Sequence, residues 1–176
     1  MLSTLRGRNP RIQGTNVSGR GSMVSRTRTG FSHPRGVHFR CTRCALCCGD
    51  TENRTRHILL LKTDAQAISS ATSKPVESFA TELSGHEPYV YEMRKTVEDG
   101  KCLYLKGRDC SIYNLRPLVC RFYPFELTTA KDGKHRFFCT GECPGIGKGK
   151  NLERNYFQEL LVRARDQLGT KKTNGT

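Results

Sequence analysis

The sequence predicts an α+β fold: a small metal-stabilised, cysteine-rich domain with short strands and a C-terminal helix, preceded by a disordered basic tail. Three observations carry that expectation. The 176 residues hold nine cysteines, several of them at metal-ligand spacing. The apolar segments between residues 57 and 138 are short and are broken by Gly, Pro and Asp turn residues. One long helical stripe (Leu152, Tyr156, Leu160, Leu161, Ala164 and Leu168) closes the chain.

Taken in order, His57 to Leu61 reads as a short buried strand. Thr63 is placed to cap a helix running to about Ser70, with Asp64 favoured by the positive helix end. Lys74-Pro75 interrupts it, and Pro75 suits the first turn of a second helix with Val76, Phe79, Ala80 and Leu83 on one face and Gly85 as its cap. Tyr89 to Lys95 and Cys102 to Lys106 look like strands joined through Glu98-Asp99-Gly100. Leu115 to Tyr123 reads as a short helix entered at Pro117 and ended by Pro124. Phe125 to Thr128 and His135 to Phe138 flank Lys131-Asp132-Gly133-Lys134, whose Asp-Gly pair marks a hairpin. Asn151 is the expected cap of the last helix, over 152–168.

Composition narrows the class further. The apolar fraction is 35%, or about 41% when Gly is counted and Tyr left out, as in the usual range of about 45–50% for globular chains, so the core is thin. The longest apolar run, Ile58 to Leu61, is far short of the ~20 residues a membrane span requires. No apolar signal segment follows Met1, so the expected compartment is the reducing cytoplasm, where cysteines serve metal binding or thiol chemistry rather than disulfides. The net charge of +14 is uneven: residues 1–40 carry eight arginines and no lysine or acidic residue. Six glycines interrupt that stretch and no apolar periodicity runs through it, so residues 1–37 are expected to be a disordered tail. The tail has several readings: nucleic-acid binding through residues 1–40 by charge alone, a transit peptide, an extension ahead of a later start, or a solvated segment with no specific role. Residues 38–169 form the expected cysteine-cluster domain and 170–176 a polar tail.

Cys41-x2-Cys44-x2-Cys47-Cys48 is the sharpest chemical signal. A two-residue gap lets a tight turn aim two sulfurs at one ion, and the third cysteine gives the first three positions of a bacterial ferredoxin run. The fourth position is absent locally, and Cys48 comes too early to supply it. Cys102, Cys110, Cys120, Cys139 and Cys143 are the remote candidates, with Cys143-Pro144 offering the Cys-Pro pair and Cys139-x3-Cys143 a second short clip. Nine sulfurs fill two four-ligand sites with one left over, or one site plus a reactive set. Adjacent side chains diverge in extended geometry, so one of Cys47 and Cys48 is expected to ligate while the other faces the core or a second site. All-thiolate ligation suits zinc and iron–sulfur alike; the three-cysteine run favours a 4Fe–4S cluster.

These residues resemble the CxxCxxCC family, the YkgJ-like cysteine cluster proteins, described as a zinc- or iron-chelating domain. The first block is Cys41-Thr-Arg-Cys44-Ala-Leu-Cys47-Cys48. The second is Lys101-Cys102-Leu-Tyr-Leu105, then Cys110-Ser-Ile-Tyr113-Asn-Leu-Arg116-Pro117-Leu-Val-Cys120-Arg121-Phe-Tyr-Pro124-Phe125. The likeness spans about residues 38–149 and implies a cytosolic metal or iron–sulfur protein, often labelled an oxidoreductase without a known substrate. A related cysteine cluster occurs in flagellin lysine N-methylase, which implies S-adenosylmethionine-dependent methyl transfer as an alternative activity.

Arg116 and Arg121 bracket Cys120, and their guanidinium groups are suited to offset thiolate charge and donate to sulfur. The histidines His57, His86 and His135 are isolated and are not expected to be ligands. Gly145, Gly147 and Lys148, in a Gly- and Lys-rich loop ahead of the last helix, resemble an anion cradle for a nucleotide-type cofactor, although the loop is no P-loop. No catalytic triad, kinase signature or paired-carboxylate signal appears, so any catalysis is expected to be cofactor chemistry. The expected function is a metal-binding protein holding an iron–sulfur cluster or zinc, with redox activity on an unidentified protein or small-molecule substrate.

Overall fold

The structure is a computed structural model, and it describes residues 30–169. The tail readings that fall on residues 1–29 and the polar tail at 170–176 lie outside the described residues. The fold is α+β, built from small elements around two separate apolar cores.

The first half is organised by a three-stranded antiparallel sheet in the order β3-β5-β4: β3 (Leu59–Leu60), β4 (Ala80–Glu82) and β5 (Tyr91–Met93). Leu60 faces Tyr91, and Ala80 faces Met93. α1 (Lys62–Thr72) starts two residues earlier than expected, with Leu61 rather than Thr63 at its N-cap. Asp64 lies inside the first turn. Its carboxylate accepts from the amide of Leu61 at 3.1 Å and from the amide of Leu118 at 3.3 Å, so one buried side chain joins two elements. Ser73 ends the helix in the left-handed conformation, φ 54°.

The expected second helix is not formed. Val76–Ser78 make a single 3-10 turn, and the chain then extends into β4. A helix of some eight residues is marginal on its own, and the free edge of β5 supplies backbone partners to Ala80, Thr81 and Glu82 instead. The strand expected over Cys102 to Lys106 is also divided. Cys102 makes only an isolated bridge to Lys95. β6 (Leu105–Lys106) turns through Gly107-Arg108, with Gly107 at φ 60°, and pairs with β7 (Asp109–Cys110). α2 (Leu118–Phe122) follows Pro117 as the sequence suggests, after a 3-10 turn at Tyr113–Leu115.

The second half is a hairpin of β8 (Phe125–Thr129) and β9 (His135–Cys139), closed by the expected turn with Gly133 at φ 75°. Three further strands escape the sequence reading. β1 (Phe31–Ser32) lies parallel to β9, and β2 (His38–Phe39) pairs with β10 (Lys150–Asn151). Phe31 is only 7% exposed, so residues 31–37, assigned above to the tail, pack as part of the domain. Asn151 belongs to β10, and the last helix, α3 (Arg154–Leu168), has Glu153 at its N-cap position with no side-chain capping bond.

Two cores result. One gathers Ile58, Leu60, Ile68, Phe79, Met93, Tyr104 and Ile112 with Cys102 among them. The other is aromatic, made by Phe31, Phe125, Phe137 and Phe157 with Leu160 and Leu161. Each is small, which fits the thin apolar composition.

Candidate metal centre

Eight of the nine cysteines line one cavity of about 870 Å³: Cys41, Cys44, Cys47, Cys48, Cys102, Cys110, Cys120 and Cys143. They arrive from five separate stretches of chain, and both cores contribute to the wall, Met93 and Ile112 from one side, Phe39 and Tyr156 from the other. Cys139 is the exception. It sits exposed at the end of β9, away from the cavity lining, so the expected Cys139–Cys143 clip is not made.

Local backbone explains how the first block curls. Arg43 and Ala45 both adopt the left-handed conformation, φ 55° and 63°, and the amide of Cys48 donates to the carbonyl of Ala45 at 3.0 Å. Non-glycine residues rarely take that conformation, so the loop holds strain that its surroundings must support. Support comes from β7, where Asp109 pairs with Arg43 at 2.7 Å, and from Arg108, whose Nε donates to the carbonyl of Arg43 at 3.1 Å. The amide of Cys102 donates to the carbonyl of Cys48, bringing the second block beside the first.

Two glycines permit the close approaches. A Cβ on Gly49 would stand 2.4 Å from the carbonyl oxygen of Gly100 and 2.7 Å from the Cα of Lys101. A Cβ on Gly145 would stand 2.6 Å from the carbonyl oxygen of Arg40. Gly49 docks the Cys41–Cys48 loop against Cys102, and Gly145 docks the Cys143 loop against Cys41. Gly49→Ala forces backbone apart and is expected to cost roughly 1–3 kcal/mol or more; denaturant unfolding of the two chains measures it, and an unchanged midpoint contradicts the contact.

The thiols crowd one another. Cys47 Sγ lies 3.8 Å from Cys48 Sγ, and that contact, followed by burial, pushes the Cys47 thiol far up. Burial first, and then the neighbouring thiols of Cys47, Cys102 and Cys110, push Cys120 far up. Burial also raises Cys102, Cys110 and Cys143, the last with help from Cys44 and Cys47. A group of buried sulfurs that suppress one another's ionisation is stabilised as thiolates by a soft cation among them, and zinc and iron both suit an all-sulfur donor set. Among the described residues, no three Cys, His, Asp or Glu side chains are already closed around a single point. The cysteines share a cavity.

The two bracketing arginines differ. Arg121 spends its Nε on the carbonyl of Arg116 and another guanidinium nitrogen on the carbonyl of Asn114, so it fastens the turn before α2. Arg116 stacks over the Tyr113 ring at 3.6 Å and donates its Nε to the Tyr113 carbonyl. Its charge lowers the thiols of Cys47, Cys110 and Cys120, and Arg116 and Arg121 both line the cavity. Tyr123 also lines the cavity. Its buried hydroxyl has no hydrogen-bond partner among the described residues, and burial together with Cys143 raises it to about 12.

Charged straps hold the walls. Lys95 Nζ donates to both oxygens of Asp50, at 2.7 and 2.8 Å, and to the carbonyl of Arg56. Arg54 and Arg56 both pair with Glu142, beside Cys143. The Lys95 hydrogen bond holds the Asp50 carboxyl below its ordinary range, and Arg56 followed by Arg54 does the same for Glu142. Carboxyls depressed in the fold stabilise it above their unfolded values, about 4, and that contribution disappears as pH falls through the depressed values. Asp64 acts in the opposite sense, since burial raises it and its contribution is lost as pH rises. Denaturation midpoints measured from pH 7 to 3 are expected to fall on the acid side, and Lys95→Met to flatten part of that fall.

The anion cradle is not what the loop after Cys143 provides. The amide of Gly147 donates to the carbonyl of His38 and that of Lys148 to the carbonyl of Gly145. A cradle needs free amides; here they fasten the loop, and Gly145 is a packing position. The isolated histidines stay outside the cavity: His57 meets Glu92, His86 the carbonyl of Ser84, and His135 Thr129.

A compact cavity walled by cysteines from paired sequence blocks defines a metal-chelating domain. The chain belongs to the CxxCxxCC family, described as "Putative zinc- or iron-chelating domain", whose profile matches residues 40–144. It is similar to the uncharacterized protein MJ0661 of Methanocaldococcus jannaschii, 27% identical over 157 residues that cover 82% of this chain and 80% of that one. It is also similar to the uncharacterized protein MJ0939 of the same organism, 28% identical over 121 residues, 66% of this chain and 40% of the relative. No solved structure matches the chain. Among the described residues, no helix is long and apolar enough to cross a membrane.

Proposed function

We propose that the chain is a metal–thiolate protein whose cavity cysteines, Cys41, Cys44, Cys47, Cys48, Cys102, Cys110, Cys120 and Cys143, hold an iron–sulfur centre with a redox role. The observation that carries this reading is the convergence of eight cysteines from five stretches on one cavity. The C-x2-C-x2-C run supports iron–sulfur over a plain zinc ribbon. Arg116 supports a tuned centre, because charge and hydrogen bonding near sulfur set a cluster's potential. Anaerobic purification, elemental analysis and an absorption spectrum test it. Iron with acid-labile sulfide and a coloured protein is the expected result. Zinc in a colourless protein would replace the redox role with a structural one, and a folded chain free of both metals would end the reading. Methyl transfer from S-adenosylmethionine and nucleic-acid binding through residues 1–40 draw no support from the described residues: the loop amides are engaged, and residues 1–29 lie outside them.

A further inference from the structure

We propose that the cavity holds two metal centres side by side, one on Cys48, Cys102, Cys110 and Cys120 and the other on Cys41, Cys44, Cys47 and Cys143. The inference rests on the metal-binding reading above and adds the number of centres and the ligands of each.

Packing divides the eight sulfurs into two sets of four. Cys102 is buried within the first core, and Cys48, Cys110 and Cys120 pack against that same core. Cys41, Cys44, Cys47 and Cys143 line the cavity without joining either core. The backbone holds each set together independently. Cys102 is bonded to Cys48 through N–H and carbonyl, and the Leu105–Cys110 register brings Cys110 beside the segment carrying Cys102. Cys143 is held against the Cys41 segment by the hydrogen bond from the Arg40 amide to the Gly145 carbonyl and by the close approach of Gly145 to Arg40. The seam runs between adjacent residues, with Cys47 Sγ 3.8 Å from Cys48 Sγ, so the two centres are neighbours.

Size and charge agree. A tetrahedral thiolate centre fits within a radius of about 2.3 Å of sulfur, and a cavity of about 870 Å³ has room for more than one. Five arginines line it (Arg40, Arg43, Arg108, Arg116 and Arg121) against one carboxylate, Asp109. Eight thiolates carry eight negative charges; the net four positive charges of that lining and two dications balance them. A single dication on four thiolates, with four thiols left neutral, leaves the cavity cationic. Binding releases the thiol protons to solvent as the sulfur–metal bonds form, one proton for each bond.

Zinc titration of the reduced, metal-free full chain, followed by native mass spectrometry, tests the count. Two zinc ions per chain are expected at the end point. The double variant Cys41→Ser/Cys44→Ser, whose substitutions lie on the loop outside both cores, is expected to keep one ion; Cys110→Ser/Cys120→Ser is expected to keep the other. A wild-type end point of one ion overturns the proposal whether or not either variant folds, as does loss of both ions from the Cys41/Cys44 variant. A chain that takes up no zinc, and contains no metal as purified, ends the metal-binding reading itself rather than the count.

Discussion

Stripping the metal with a chelator is expected to unfold the half of the domain built on β3, β4, β5 and α1. Its core includes Cys102, and Cys48, Cys110 and Cys120 pack against it, so four of the positions that close it are thiols. Without a cation, burial and neighbouring thiols oppose ionisation of Cys102, Cys110 and Cys120, and the loop that carries Cys48 is strained at Arg43 and Ala45. Structural metal sites contribute on the order of 10 kcal/mol of folding free energy. Small domains have only about 5–15 kcal/mol in all, so the loss leaves nothing to hold this half. Far-UV circular dichroism and thermal melts before and after chelation measure the effect. A melting temperature unmoved by complete metal removal would mean that the apolar contacts suffice and that the cysteines are packing residues.

Phe157→Ala is expected to lower stability by roughly 3–5 kcal/mol, the range for truncating a fully buried aromatic ring. Phe157 is 0% exposed and is the hub of the second core. Its ring stacks on His33 at 4.8 Å and meets Phe125 at 5.1 Å, Phe137 at 5.2 Å and Tyr156 at 5.4 Å. Those partners come from the segment after β1, from β8, from β9 and from α3 itself, so the cavity left by alanine lies where four segments meet. The neighbours are rings with few rotamers, and collapse onto the void is correspondingly limited. Phe157→Leu, which keeps most of the volume, is expected to lose less. Denaturant unfolding with an unchanged slope gives the difference directly; a loss below about 1 kcal/mol for the alanine variant would show that the site relaxes.

What the sequence made legible follows from how local each signal is. α3 was readable because its apolar stripe repeats over four turns, and the β8–β9 hairpin because Asp132-Gly133 specifies its turn. The Val76–Leu83 segment was not, since the spacing that suggests a helix also places Phe79 and Ala80 at a sheet edge. Only the free edge of β5, contributed from ten residues further on, decides between them. Phe31 was lost in its surroundings: a single aromatic in an Arg- and Gly-rich stretch carries no period, and its parallel partner β9 is a hundred residues away. Among the cysteines, the spacing of Cys41 to Cys48 announced itself. Spacing alone could not separate Cys143 from Cys139, which look like one clip. The hairpin leaves Cys139 exposed at the end of its strand, while Gly145 draws Cys143 against the first loop.

α2 has only five residues, yet Val119 and Cys120 pack into one core and Phe122 into the other. It is therefore the peg through which either half senses the other. With its sulfur engaged the peg is fixed at its middle, and heating should melt the chain in a single step. Weakened there, by Val119→Gly for instance, the halves are expected to part company and melt at two separate temperatures, the aromatic one last.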